Sequence, residues 1–121
     1  MKAGFETLGN ASVVVFEDGN PVLATDPWLF GTCYFGSWAL DHPLSPEQTQ
    51  NIVNAEWIWI SHGHPDHLHD ESLGLLPAGK RILLPDHYDP DMATSLRDRG
   101  FEVTILPYRS WHQLTPAVRV M

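Results

Sequence analysis

Cysteine is almost missing from this chain. Cys33 is the single one, so no disulfide can close within it, and the sequence suits a reducing compartment, expected to be the cytoplasm. Basic residues are scarce too. Seven Lys and Arg stand against fifteen Asp and Glu, for a net charge of -8, and the basic ones are scattered. That excludes the dense positive surface of a nucleic-acid binder. It does not exclude a phosphate-bearing substrate, because a bound dication reverses the local sign. Long apolar runs are also lacking. No stretch approaches the length of a membrane span, and Met1-Lys2-Ala3-Gly4-Phe5-Glu6 does not read as the start of a signal peptide. What is present belongs to a globular protein: 43% hydrophobic and 18% charged residues, with five Trp and five Phe to fill a core. At 121 residues the chain reads as one compact domain over residues 1–121.

Local signals divide it into short elements. Residues 3–8 and 12–17 read as strands around the turn pair Gly9-Asn10, and Asp18-Gly19-Asn20 leads to a third strand at 21–25. Asp26-Pro27-Trp28 ends this meander. Residues 27–45 form a long aromatic loop, a kind of segment that is often functional. Ser45 caps a short helix with Pro46 in its first turn, ending near Asn54. Residues 56–60 are a buried strand. A short helix begins at Asp70 and stops at Pro77-Ala78-Gly79, and residues 81–85 are again strand. Asp89 and Pro90 start a helix that Gly100 stops; strands follow at 101–106 and 117–121. This is an α/β order.

Histidine is the residue in excess. There are seven, and His62, His64, His67 and His69 fall within the stretch 62–69. The strand ending at Ile60 continues extended through Ser61, and in extended chain side chains two apart point the same way. His62 and His64 can therefore reach one cation from one side. Pro65 then bends the chain and sets Asp66 and His67 on a new axis, where they can serve an adjacent position. Imidazole and carboxylate suit Zn²⁺, with Fe or Mn as alternatives, as one or two ions. Ligands of open α/β sheets bind beyond the carboxyl ends of strands, which is where this cluster lies.

The run His62-x-His64-x-Asp66-His67 resembles the signature of the metallo-β-lactamase superfamily. Asp26-Pro27-Trp28, the loop Gly36-Ser37-Trp38-Ala39-Leu40-Asp41-His42-Pro43 and Pro107-Tyr108-Arg109-Ser110-Trp111 resemble the branch that holds CMP-N-acetylneuraminate hydroxylases and related metal-dependent hydrolases. The resemblance implies half of an αββα sandwich, a mixed sheet with helices on one face. It implies that residues 1–121 are truncated on their C-terminal side or pair with a second copy, since the family's third His and bridging Asp ligands lie beyond the matched stretch. His62 and His64 would ligate a first metal, and Asp66 and His67 a second, or assist a single one. Asp66 would also orient or deprotonate the attacking water. Asp26 would support the His loop, although a turn-forming Asp before Pro reads equally well from the residues alone. The implied activity is metal-dependent hydrolysis of a small-molecule ester, amide or phosphoester. The alternatives are the corresponding part of a sialic-acid-type hydroxylase, whose Rieske Cys/His pairs are absent from this stretch, and a non-catalytic binding module.

Other residues carry weaker expectations. Trp38, His42 and His87 are candidates for substrate contact, and the aromatics of 27–45 either line a mouth or pack on the sheet. His69 is expected to face solvent, His112 to be structural or on the surface, and Cys33 to be a packing residue.

Overall fold

A computed structural model describes residues 3–86 and 89–121. The first three strands, β1 (Ala3–Leu8), β2 (Ser12–Glu17) and β3 (Asn20–Thr25), form the antiparallel meander. The register between β2 and β3 shifts at Val15/Phe16, opposite Pro21. Proline has no N–H for the ladder, so a bulge there leaves no broken bond. Beyond β3 the sheet turns parallel. Two short strands, β4 (Thr32–Cys33) and β5 (Trp38–Ala39), pair with each other inside the long loop. Helix α1 (Pro46–Asn54) then returns the chain so that β6 (Trp57–Trp59) lies alongside β3. Helix α2 (Asp70–Leu73) precedes β7 (Arg81–Pro85), and α3 (Pro90–Asp98) precedes β8 (Glu102–Leu106). The six-stranded order is β1-β2-β3-β6-β7-β8. A last pair, β9 (His112–Gln113) and β10 (Arg119–Val120), stands apart from this sheet.

The helices begin where the sequence places its caps. Ser45 accepts from the Gln48 amide while the Gln48 side chain returns to the Ser45 amide, a reciprocal capping box. Asp89 caps α3 ahead of Pro90.

Strand alternation sorts the two faces. Ala24, Ile58, Ile82 and Val103 share one register row and pack with Ile52 of α1, Leu73 of α2 and Met92, Ala93 and Leu96 of α3. All three helices therefore contribute to one face, as expected. The opposite face presents Val15, Leu23, Trp57, Trp59 and Leu83, which meet Leu114, Val118 and Val120. The chain's own last segment thus packs on the sheet side away from the helices, and Phe5 at the sheet edge stays 67% exposed. Parallel β3, β6, β7 and β8 all point their carboxyl ends to one rim. The histidine run leaves β6 at that rim.

Candidate metal centre

The parallel pairing of β3 with β6 continues one residue past β3, for the Asp26 amide donates to the carbonyl of Trp59 at the end of β6 at 2.7 Å. Asp26 adopts φ +39° there, a left-handed conformation that Asp tolerates better than most residues. Its side chain is buried and accepts three hydrogen bonds: from the Ser61 amide at 2.7 Å, the Ser61 hydroxyl at 2.8 Å and His67 Nδ1 at 2.8 Å. A carboxylate only accepts, so His67 carries a proton on Nδ1 and turns Nε2 away from Asp26. Nε2 lies 3.3 Å from Asp66 Oδ2.

Past Ser61 the chain runs to His64, whose carbonyl accepts from both His67 N (2.9 Å) and Leu68 N (2.8 Å). This turn through Pro65 brings His67 back beside His62. The His62 and His67 ring centroids are 4.1 Å apart and those of His62 and His64 are 4.6 Å apart. His62 Nδ1 meets the Ser61 hydroxyl at 2.8 Å. Three imidazoles and one carboxylate thus gather at the rim, with His64 exposed and His62 and His67 half-buried.

Asp66 is 7% exposed. Burial alone would raise its pKa, but hydrogen bonds from Tyr34, Asn10 and its own backbone, together with the nearby His67, outweigh burial and hold it below the ordinary aspartate range. The Tyr34 hydroxyl donates to Oδ1 at 2.7 Å and Asn10 Nδ2 to Oδ2 at 2.9 Å. The same bond to Asp66 is the main reason that the Tyr34 phenol is pushed above its usual value.

The donor types fit a divalent cation, and the carboxylate–histidine link from Asp26 to His67 is the support that metal-bound imidazoles commonly have. Among the described residues, however, no three His, Cys, Asp or Glu side chains converge as they would around an ion. The imidazoles pack ring against ring, and both Asp66 oxygens are occupied by protein donors.

The remaining candidates are dispersed. His42 is exposed beside Asp41, and Trp38 is half-exposed with its ring 4.7 Å from that of Tyr34. Both border a cleft of about 650 Å³ that also includes Asn10, Trp28 and Gln48, so Asn10 is common to the cleft and to Asp66. His87 lies outside the described residues. His112 is half-buried, edge-on to Trp57, and Cys33 is buried.

His69 departs from its expected place. Expected in solvent, it is 2% exposed. Its Nε2 donates to the Thr32 carbonyl at 3.0 Å, which leaves Nδ1 to accept from the Ser72 amide and cap α2. The Ser72 hydroxyl bonds the same Nδ1 and accepts from the Leu29 amide. Both ring nitrogens are therefore committed to tying the long loop to α2, and His69 is no spare ligand.

Tyr34, Asn10 and Ser61 complete the cluster. Ser61 has a local signal, its adjacency to His62. The sequence marks Asn10 only as a turn residue and Tyr34 only among the loop aromatics that line a mouth or pack, because their contacts with Asp66 span 56 and 32 positions.

No family model matches the chain. It is 30% identical over 109 residues to the cytidine monophosphate-N-acetylneuraminic acid hydroxylase of Pongo pygmaeus, covering 85% of this chain and 18% of that protein. The inactive human counterpart is 29% identical over 109 residues, covering 85% and 22%. The Asterias rubens hydroxylase is 38% identical over 58 residues, covering 48% and 9%. The chain thus spans about a fifth or less of the length of these relatives. Among solved structures, the isothiocyanate hydrolase from Delia radicum gut bacteria matches with a TM-score of 0.62 at 18% identity, over 90% of this chain and 42% of that one. That likeness is one of fold. The fold is mixed α/β, and together the relatives and the structural neighbour, which carry enzyme names (the human one marked inactive), fit a metallo-β-lactamase-like relationship.

Proposed function

We propose that the rim carries a metal-dependent hydrolytic site. His62 and His64 would hold one cation, with Asp66 and His67 serving a second position or assisting the first; zinc suits these donors best. The observation that carries this reading is the placement of three imidazoles with centroid separations of 4.1 and 4.6 Å at the carboxyl ends of parallel strands, one of them fixed by Asp26 so that Nε2 remains a donor to a metal. When bound, such a cation lowers the pKa of water toward ~7 and polarises the group under attack. The protein's own part is to hold and orient. Asp26 sets the His67 tautomer, Asp66 offers a carboxylate to accept a proton from water or align it, and the cleft beside Asn10 offers room for a small substrate bearing an ester, amide or phosphoester. Coordination asks the imidazoles to turn toward a common point, which the exposed Gly63-His64-Pro65 segment allows.

A second reading rests on the relatives. Their hydroxylase names favour the corresponding portion of a larger oxidoreductase, in which this rim binds a metal or substrate while oxidation chemistry is supplied elsewhere. Metal analysis of the purified protein beside a His64→Ala variant tests the common core of both. Bound zinc in the wild type and its loss in the variant is the expected result; identical metal content would remove the reading. Turnover in ¹⁸O-labelled water then separates the two, since a hydrolase incorporates the label from water and an oxygenase does not.

A further inference from the structure

We propose that Tyr34 and Asn10 are positioning residues, one on each oxygen of the Asp66 carboxylate, that hold it in orientation toward the imidazole group. The inference rests on the metal reading above.

The turn at His64–Leu68 fixes the Asp66 backbone but holds the carboxylate only through the local bond to its own backbone. The two donors come from segments far away in sequence. Asn10 lies in the turn between β1 and β2, and reaches both Asp66 Oδ2 at 2.9 Å and the Asp66 carbonyl at 3.4 Å. Tyr34 lies in the loop between β4 and β5, and its hydroxyl is 2.7 Å from Oδ1.

The Tyr34 backbone makes the point independently. Tyr34, Phe35 and Gly36 have φ of +52°, +59° and +84°. Left-handed conformation is natural for Gly36 and unfavourable for two consecutive aromatics. Such strain persists where surrounding contacts over-determine it. Here they do: the Tyr34 carbonyl accepts from the Ser37 amide at 3.2 Å and the Ser37 hydroxyl at 2.6 Å, and the ring packs on Trp38. Phe35 is left wholly exposed, so the turn is not built to bury it. What the turn delivers is the Tyr34 hydroxyl.

The chemistry of the donors suits the role. A Lys or Arg on Asp66 would compete with a cation for its charge. A phenol and an amide orient the carboxylate without neutralising it, and each oxygen keeps a further lone pair.

The test compares wild type, Tyr34→Phe, Asn10→Ala, Asp66→Asn and Tyr34→Phe/Asp66→Asn. Zinc affinity is measured against a competing chelator, and the cobalt(II) visible spectrum reports the ligand environment. Losing an orienting partner typically weakens metal binding 10–100-fold, and that is the fall expected in Tyr34→Phe. A positioning role also requires that the fall vanish in the Asp66→Asn background. Wild-type affinity in Tyr34→Phe, or an equal fall in both backgrounds, overturns the proposal. Should the wild type itself bind no zinc, the metal reading fails separately. Metal-free crystal structures then decide the positioning: Asp66 turning to a new rotamer in Tyr34→Phe supports it, and an unmoved carboxylate overturns it.

Discussion

Replacing Asp26 with Asn changes one heavy atom of the site and predicts the tautomer of a histidine that follows the neighbouring strand. The carboxylate receives the Ser61 amide on Oδ1, and the Ser61 hydroxyl and His67 Nδ1 on Oδ2. An Asn amide has one acceptor. With its oxygen toward the Ser61 amide, its NH₂ faces Ser61 Oγ and His67 Nδ1. The hydroxyl can reverse and accept, and the imidazole must move its proton to Nε2. With the amide flipped, NH₂ opposes the backbone N–H of Ser61, which has no alternative tautomer; an unsatisfied buried donor costs about 1–3 kcal/mol. The first orientation therefore wins. The fold loses about 1–2 kcal/mol as charge-assisted bonds become neutral, whereas Asp26→Ala, which strips every acceptor from this buried knot, costs about 3–5 kcal/mol. Zinc affinity is expected to respond at least as strongly. His67 Nε2 is now protonated, so affinity falls at least the 10–100-fold expected from loss of a supporting carboxylate, or about 1.4–2.8 kcal/mol. Urea unfolding with chelator present gives the stability change, chelator competition gives the zinc affinity, and long-range ¹H–¹⁵N spectra give the tautomer. An Asp26→Asn protein that keeps the Nδ1 proton on His67 and binds zinc like the wild type would refute the argument.

His69→Ala is expected to destabilise the protein by about 2–4 kcal/mol in urea unfolding, through loss of a helix cap and of the bond to the Thr32 carbonyl of the long loop, with zinc content unchanged; loss of zinc without loss of stability would make His69 a ligand instead. Asp66 has a lowered pKa when folded, so in metal-free protein it contributes stability that is present above its unfolded value near ~3.9 and is lost as pH falls through the folded value. Asp66→Asn should flatten that part of the acid limb of the stability–pH profile, and an unchanged profile would show that the carboxylate is not held in solution as it is in the structure.

Much of this fold could be read directly because its signals are local. The strands at 3–8, 12–17 and 81–85 and the helix from Pro46 to Asn54 fall where alternation, turn pairs and the Ser45–Pro46 start place them. The strand expected at 56–60 is shortened to Trp57–Trp59, and the one at 117–121 to Arg119–Val120. Strands β4, β5 and β9 have two residues each, too few for any periodicity to register. Two of them, β4 and β5, lie within the long loop at 27–45.

The site divides along the same line. The run 62–67 announces itself because its chemistry is contiguous, and extended-chain geometry accounts for His62 and His64 sharing a side. What surrounds it is assembled by pairing. Asp26 could equally have been a turn former until the parallel register of β3 with β6 set it against Ser61 and, through the turn at Pro65, against His67. His69 was misread for a related reason. Histidine is uncommon among capping residues, so its position just before Asp70-Glu71-Ser72 carried no cap signal, and the Thr32 carbonyl that engages its other nitrogen lies 37 positions away. Asn10 is marked locally only as a turn residue and Tyr34 only as one of the loop aromatics, and nothing local ties either to Asp66. A cluster of ligand-type side chains is thus legible from spacing, whereas the groups that fix protonation and orientation within it become visible only once the sheet has chosen its register, and in this chain it is those groups that set this rim apart from a merely polar loop.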